Sequence, residues 1–171
     1  MRPPDLSAGA APTGAATIRV AATQPDIARA RSLFVEYARW LDVDLCFQGF
    51  DRELDGLPGA YAPPSGRLLV AGDQGSAFAC IALRPVGAAG VGEVKRLYVQ
   101  PERRGEGWGR RLVDAVLAEA RGIGYRELKL DTLDWMSAAR ALYEQVGFAA
   151  CEPYYVNPLP GVVYMSLRLP V

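Results

Sequence analysis

The pattern of apolar segments predicts an α/β (α+β) protein with a mixed, mostly antiparallel central sheet and helices on both faces. Residues 67–83 contain two short apolar segments separated by Gly72-Asp73-Gln74-Gly75, a composition typical of a hairpin turn. Residues 93–131 alternate strand, amphipathic helix and strand, which predicts a parallel pair joined by a right-handed crossover. Antiparallel and parallel pairs are therefore expected in one sheet.

The individual elements follow from the spacing of apolar residues. Predicted strands are short apolar or alternating runs, and predicted helices carry apolar residues three and four positions apart. Pro25 marks the start of the first helix, and Gly122 and Gly124 follow the end of the second. In chain order, the predictions are a strand at Thr17–Ala21, a helix from Pro25 to Leu41, an irregular or short helical excursion over 44–65, strands at Arg67–Ala71, Ala77–Leu83 and Glu93–Val99, a helix at Arg110–Arg121, a strand at Glu127–Asp131, a helix from about Met136 to Val146, and strands at Phe148–Glu152 and Val162–Leu169.

Length and hydropathy predict one globular domain. Residues 17–171 are long enough for a single core, and residues 1–16, rich in Ala, Gly and Pro, are expected to form a disordered tail. The tail lacks the continuous apolar segment of a signal peptide, and no stretch approaches the roughly 20 apolar residues of a membrane span. We therefore expect a protein without membrane contact, present as a monomer or homodimer.

Charge and residue usage exclude several function classes. The 19 basic and 19 acidic residues cancel, so nucleic-acid binding is not expected. The chain has no histidine, which excludes Ser-His-Asp and Cys-His nucleophile systems and His-ligated zinc. Cys46, Cys80 and Cys151 are widely spaced in apolar surroundings, which indicates reduced thiols, no metal cluster and a cytoplasmic location. Proton transfer must then use carboxylate, tyrosine, lysine, cysteine or water.

A glycine-rich loop at residues 99–109 predicts an anion site. Gly105, Gly107 and Gly109 lack a Cβ atom, so backbone N–H groups can approach a phosphate closely. Arg104 adds positive charge, and the following helix contributes its dipole and its unpaired first-turn amides. These features together suit a pyrophosphate.

Two alternatives account for the same glycines. One is a dinucleotide-binding oxidoreductase, in which Asp131 would bind a ribose. The Gly-x-Gly-x-Gly spacing differs from the Gly-x-Gly-x-x-Gly pattern of that fold, and no Lys-Ser or Lys-Thr follows the loop, which excludes a Walker-type phosphate loop. The other alternative, a surface turn without a ligand, stays open on the glycines alone.

Two motifs resemble the GNAT N-acetyltransferase family. Residues 93–112 are similar to its acyl-coenzyme-A-binding core, whose pattern Gln/Arg-x-x-Gly-x-Gly/Ala is matched by Arg104, Gly107 and Gly109. Ala141-Leu-Tyr-Glu-Gln-Val-Gly-Phe148 resembles the second signature, Leu-Tyr-x-x-x-Gly-Phe. The resemblance implies the acyl-CoA N-acyltransferase fold and transfer of an acetyl group from acetyl-CoA to an amine.

The resemblance also implies how the coenzyme binds. The main chain of Leu97 and Val99 would pair with the pantetheine arm where the fourth and fifth strands splay apart, and the amides from Arg104 to Arg110 would hold the pyrophosphate. The expected coenzyme-binding residues are Leu97, Tyr98, Val99, Arg104, Gly105, Glu106, Gly107, Trp108, Gly109 and Arg110.

Catalytic roles follow from the same resemblance. Tyr143 is the expected acid, because a tyrosine at this position often points at the coenzyme sulfur in the family and can protonate a thiolate. Glu93 matches the position of the basic glutamate in histone-type members; alternatively it is a strand-end acid paired with Lys95 or Arg96. Many members carry an asparagine where this chain has Met136, which we expect to be a packing residue.

The acceptor is expected to be a small, amino-acid-like amine. Phe47-Gln-Gly-Phe-Asp-Arg-Glu-Leu54 and Pro153-Tyr-Tyr-Val-Asn-Pro158 carry polar and aromatic groups in loop-like settings, where specificity commonly resides. Arg84, Lys95 and Arg96 lie near strand ends and could fix a carboxylate. The expected substrate-binding residues are Gln48, Phe50, Arg96 and Tyr155. A non-catalytic acyl-CoA sensor or interaction module is the alternative function.

Overall fold

The computed structural model describes residues 15–46, 49–73 and 76–170, and the predicted elements are present within them with shifted ends. The predicted tail lies outside the described residues over 1–14. The elements are β1 (Thr17–Val20), α1 (Gln24–Leu41), α2 (Phe50–Gly56), β2 (Arg67–Asp73), β3 (Ser76–Pro85), β4 (Val91–Val99), α3 (Trp108–Ile123), β5 (Glu127–Leu133), α4 (Ser137–Gln145), β6 (Ala149–Ala150) and β7 (Val162–Arg168), with 3₁₀ turns at Gly59–Tyr61 and Pro101–Arg103.

The strands form one mixed sheet in the order β1-β2-β3-β4-β5-β7-β6. The pairs are antiparallel except β4 with β5, which are parallel and connected through α3. This confirms the predicted fold class and the strand-helix-strand unit. The parallel pairing covers only Val91–Glu93 against Glu127–Lys129, although both strands continue beyond it. A wedge therefore opens in the middle of the sheet.

Helices cover both faces of the sheet, as predicted. On one face, α3 buries Leu112, Val113 and Val116 against β2, β3 and β4. On the other face, α1 buries Leu33 and Phe34, which pack with residues of β2 and β3. In α1, Pro25 lies in the first turn and the Thr23 hydroxyl accepts a hydrogen bond from the Asp26 amide at 3.3 Å. The central strands are thus buried from both sides.

Several predicted boundaries were wrong. The second helix was predicted from Arg110 but begins at Trp108, because Gly107 is left-handed with φ 82° and forms the N-cap without a side-chain bond. The predicted strand Phe148–Glu152 is reduced to Ala149–Ala150 at the edge of the sheet, ahead of Pro153, which has no amide to donate. Cys46 is exposed, so it does not share the apolar surroundings of Cys80. Among the described residues, no helix has the length and apolarity to cross a membrane.

Candidate active site

Two adjoining cavities occupy the wedge between β4 and β5. The larger, here called the groove, has a volume of about 480 Å³ and runs from β4 past the glycine loop to α4. The smaller, here called the inner cavity, has a volume of about 60 Å³ and lies between β4, β5, α1 and α4. Leu97, Met136 and Ala139 line both, so a ligand seated in the groove reaches the mouth of the inner cavity.

The glycine loop presents a row of unpaired amides to the groove. Gly105 and Gly107 both have φ 82°, which turns the chain tightly before α3. Within the described part of the chain, the amides of residues 105–110 have no backbone acceptor. The Arg104 amide, by contrast, donates to the Pro101 carbonyl at 3.2 Å. The amides without a backbone acceptor therefore begin at Gly105, while the predicted contribution of the Arg104 amide to pyrophosphate binding stays a prediction.

Arginine side chains surround this row of amides. Arg104 donates from Nε to the Val99 carbonyl at 2.9 Å, and its guanidinium lies 4.6 Å from the centre of the Trp40 ring. Glu106 accepts hydrogen bonds from Arg103 Nε and from Trp108 Nε1, each at 2.9 Å. The side chains of Glu106 and Trp108 thus brace the loop while their amides stay unpaired. The loop therefore presents unpaired amides beside the positive charge of Arg104, an arrangement that suits an anion.

Tyr143 lines the inner cavity from α4. Its ring packs edge-on against Phe148, with the two ring centres 5.7 Å apart. Burial raises the pKa of the Tyr143 hydroxyl well above its usual value of 10, so the phenol keeps its proton at physiological pH. Among the described residues, no hydrogen-bond partner holds this hydroxyl. Tyr143 is therefore a protonated donor facing the cavity.

Glu93 lies on β4 outside the residues that line the inner cavity. The side chain is 1% exposed and its two oxygens are already engaged. Arg84 Nε donates to Oε2 at 2.7 Å, and the Tyr154 hydroxyl donates to Oε1 at 2.8 Å. Lys95 Nζ lies 3.7 Å from Oε1. These contacts favour the ion-paired acid over the general base, the two roles that the sequence leaves open.

A second carboxylate, Asp131 on β5, does line the inner cavity. Its Oδ2 accepts hydrogen bonds from the Tyr155 hydroxyl at 2.5 Å and from Asn157 Nδ2 at 2.8 Å. Its Oδ1 lies 3.8 Å from Lys95 Nζ. Burial lowers the pKa of Lys95, and the negative charges of Glu93 and Asp131 counter that effect. Asp131 is thus a positioned carboxylate with one oxygen toward a buried lysine.

Arg96 brings a buried cation to the same cavity. Two residues of β4, Arg96 and Leu97, face a single residue of β3 at a β-bulge, and Arg96 has a left-handed φ of 61°. The side chain lies on the Phe50 ring, 5.2 Å from its centre, and Nε donates to Glu53 Oε2 at 2.8 Å. Arg96 Nη2 is buried without a hydrogen-bond partner among the described residues. Glu53 also accepts a bond from the Tyr61 hydroxyl.

Of the predicted acceptor-binding residues that the structure describes, one lines the inner cavity and two support residues that line it. Arg96 lines the inner cavity, whereas Phe50 supports Arg96 and Tyr155 orients Asp131. Gln48 lies outside the described residues. Met136 packs between the two cavities, where its sulfur accepts a hydrogen bond from Thr132 at 3.6 Å.

The predicted set of site residues omitted Asp131, Lys95 and Glu53. Each is a charged residue within or beside an apolar segment, and this pattern was the available signal. The sequence indicates Asp131 only as a possible ribose-binding acid, Lys95 as one of three candidate cations and Glu53 as part of a loop segment. In the described part of the chain, no group of three or more His, Cys, Asp and Glu side chains is arranged to hold a metal ion.

Comparison with known proteins identifies the family. The Acetyltransferase (GNAT) family model matches residues 27–148. The chain is 44% identical over 140 residues to an uncharacterized N-acetyltransferase of Schizosaccharomyces pombe, with 81% of this chain and 86% of the relative covered.

Solved structures show the same fold. A GNAT acetyltransferase of Staphylococcus aureus Mu50 superposes with a TM-score of 0.75 at 16% identity, covering 91% of this chain and all of the other. An acetyltransferase of Salmonella typhimurium solved with acetyl-CoA gives a TM-score of 0.65 at 21% identity, covering 92% of this chain and 96% of the other. From the family match, the close relative and the wedge with its anion loop, we conclude that this chain belongs to the GNAT family and is an acetyltransferase.

Proposed function

We propose that the protein transfers an acetyl group from acetyl-CoA to the primary amine of a small molecule by direct attack in a ternary complex. The observation that carries this proposal is the junction of the two cavities. The groove offers an anion site and a long wall of β4, and it adjoins an inner cavity of about 60 Å³ that carries Tyr143 and Asp131. An acceptor that enters so small a cavity must present a slender amine-bearing end.

The coenzyme is proposed to lie along the groove. The amides of residues 105–110 hold the pyrophosphate, supported by the positive end of α3 and by Arg104. The pantetheine arm follows β4 beside Leu97, Tyr98 and Val99, where β5 no longer pairs. This path delivers the thioester to the residues shared by both cavities.

The transfer then needs two proton movements. The neutral amine attacks the thioester carbonyl, a C–N bond forms, and the C–S bond breaks to release the coenzyme thiolate. Tyr143 donates its hydroxyl hydrogen to the departing sulfur and takes up the proton that the nitrogen still carries after the attack, so the buried phenol stays protonated. Asp131 receives the proton that the ammonium loses, because it is the carboxylate that lines the cavity. Glu93 acts as a positioning residue that holds Arg84, Lys95 and Tyr154.

The first test is calorimetric titration with acetyl-CoA, with NADH and ATP as controls. Selective binding of acetyl-CoA, followed by amine-dependent release of coenzyme A, supports the proposal. Binding without turnover of any amine would favour the acyl-CoA sensor instead. The absence of acetyl-CoA binding would reduce the glycine loop to a structural turn, and selective binding of NADH would favour the oxidoreductase.

A further inference from the structure

We propose that the acceptor carries a carboxylate next to its amine, with Arg96 binding the carboxylate and Asp131 binding the amine. This inference rests on the proposed function, since it names the substrate class of the same site. It starts from the one buried cationic donor in the wall of the inner cavity that the described residues leave without a partner, Arg96 Nη2.

The Arg96 guanidinium is fixed at one nitrogen and unpaired at another. Arg96 is 5% exposed, and its Nε is fixed by Glu53, which the Tyr61 hydroxyl also holds. A buried charged donor without an acceptor is costly, so native structures supply a partner from the protein, from water or from a ligand. The guanidinium fork matches a carboxylate, and one branch of it stays open after the Glu53 contact.

The charges in the cavity wall complement a molecule that has both an amine and an acid. Lys95, Arg96 and Asp131 line the cavity, and Glu93 and Glu53 pair with the two cations from outside its wall. Asp131 Oδ2 accepts hydrogen bonds from Tyr155 and Asn157. The other oxygen, Oδ1, lies 3.8 Å from Lys95 Nζ. A carboxylate on the ligand supplies the acceptor that Arg96 Nη2 lacks, and the amine finds its acceptor in Asp131.

The size of the cavity sets the distance between the two ligand groups. The cavity of about 60 Å³ favours a compact ligand end, and we expect the amine and the carboxylate to be separated by one or two carbon atoms. This is the geometry of an α- or β-amino acid. Any longer side chain of the acceptor must leave the inner cavity.

The experiment compares matched acceptors after acetyl-CoA binding has been established by calorimetry. The probes are the common L-amino acids and β-alanine, each beside its carboxamide and its decarboxylated amine, with coenzyme A release and binding to the coenzyme-loaded protein as readouts. The wild-type protein is expected to acetylate at least one acid and to discriminate against the matching amide and amine. The test variant is the double substitution Arg96→Gln/Glu53→Gln, because removing Arg96 alone would leave the Glu53 carboxylate buried without its cation. We expect KM for that acid to rise about 10- to 100-fold in this variant.

The matched control is Arg19→Gln/Asp26→Asn, which removes another partly buried Arg–carboxylate pair, at 2.7 Å, at the start of α1. It should leave the preference for the acid unchanged. Acetylation of the amides and amines as fast as the acids, turnover confined to amines without a carboxylate, or no binding of any acid in the panel would each overturn the inference while leaving acetyl-CoA binding intact. Loss of acetyl-CoA binding in the wild-type protein would instead refute the proposed function.

Discussion

The groove and the inner cavity are neighbours built in opposite ways. The groove is wide and is lined mainly by apolar side chains and by the main chain of one continuous segment, residues 97–109. The inner cavity is small, and the charged groups in its wall come from β4 and β5. Under the proposed function, the coenzyme is bound mainly by the backbone of this segment, whereas the acceptor is bound by individual side chains.

Substitutions in the two cavities should therefore have different effects. Main-chain contacts are lost only when the backbone is distorted or obstructed, so substitutions along the groove should change coenzyme affinity. Side-chain contacts are removed by single substitutions, so changes in the inner cavity should alter turnover and acceptor choice while the coenzyme still binds.

The largest effect is expected from Tyr143→Phe. Removal of the hydroxyl deprives the departing thiolate of its proton donor and should lower kcat by about 10²- to 10⁴-fold. The dissociation constant of acetyl-CoA, measured by calorimetry, should stay nearly constant because the ring remains packed on Phe148. Tyr125→Phe is the matched control. The Tyr125 hydroxyl donates a hydrogen bond of 2.6 Å to the Ser65 carbonyl, and Tyr125 does not line either cavity. Weakened coenzyme binding equal to the loss of rate would contradict the assignment.

The next largest effect is expected from Glu93→Gln, which should lower the free energy of unfolding. A neutral amide leaves Arg84 and Lys95 without their buried carboxylate, and we expect a loss of about 2–3 kcal/mol after allowing for the exposed third of Arg84. Chemical denaturation measures this loss. Glu119→Gln, which breaks the more exposed pair with Arg67, should cost less than about 1 kcal/mol.

The pH dependence of the Glu93→Gln variant separates the two roles of Glu93. If Glu93 only positions its neighbours, the low-pH limb of the rate profile stays in place, and Asp131→Asn removes it. Disappearance of that limb in Glu93→Gln would make Glu93 the base and would extend the reacting region beyond the residues that line the inner cavity.

A smaller effect is expected from Gly107→Ala in the groove. The φ of 82° disfavours any residue with a Cβ atom, and the added methyl group meets no protein atom within 4 Å, so it projects into open space at the loop. We expect acetyl-CoA to bind about 10- to 100-fold more weakly, with kcat at saturation little changed. Gly124→Ala is the control, because Gly124 has φ 99° and equal space at the other end of α3. Equal losses of affinity in both variants would show that strain, and not the anion site, causes the effect.

The groove could be predicted from the sequence because its features are local. Alternating glycines, a following amphipathic helix and the preceding strand lie within residues 93–110, and together they define the loop before any tertiary contact forms. One local feature was not predictable: the Arg104 amide donates to the Pro101 carbonyl in a 3₁₀ turn that the sequence pattern does not show.

The inner cavity could not be predicted in the same way. Lys95 and Arg96 are consecutive, and in a regular strand their side chains would point to opposite faces of the sheet. The bulge at Arg96 brings both into the wall of one cavity, and no local pattern marks a left-handed arginine. Asp131 joins them only because β5 pairs with β4 in parallel and then diverges, which depends on the whole sheet.

The smallest effect is expected in the titration of Lys95. The chain has two lysines, Lys95 and Lys129, so Lys129→Arg leaves a single side-chain signal in the NMR spectrum of lysine-labelled protein. Burial places the pKa of Lys95 below its ordinary value of 10.5. Between the folded and unfolded pKa values the unfolded chain binds more protons, so the free energy of unfolding should rise with pH in the window that ends near 10.5.

Ligands should move this titration in a way that separates the two cavities. A carboxylate-bearing acceptor adds negative charge beside Lys95 and should raise its pKa, whereas coenzyme A, bound by backbone amides in the groove, should shift it less. Lys95 titrating at or above 10.5 in the free protein would show that Glu93 and Asp131 outweigh burial. Lys95 would then already be balanced by these two carboxylates in the free protein, and the expected difference between the effects of the acceptor and of coenzyme A on its pKa would be lost.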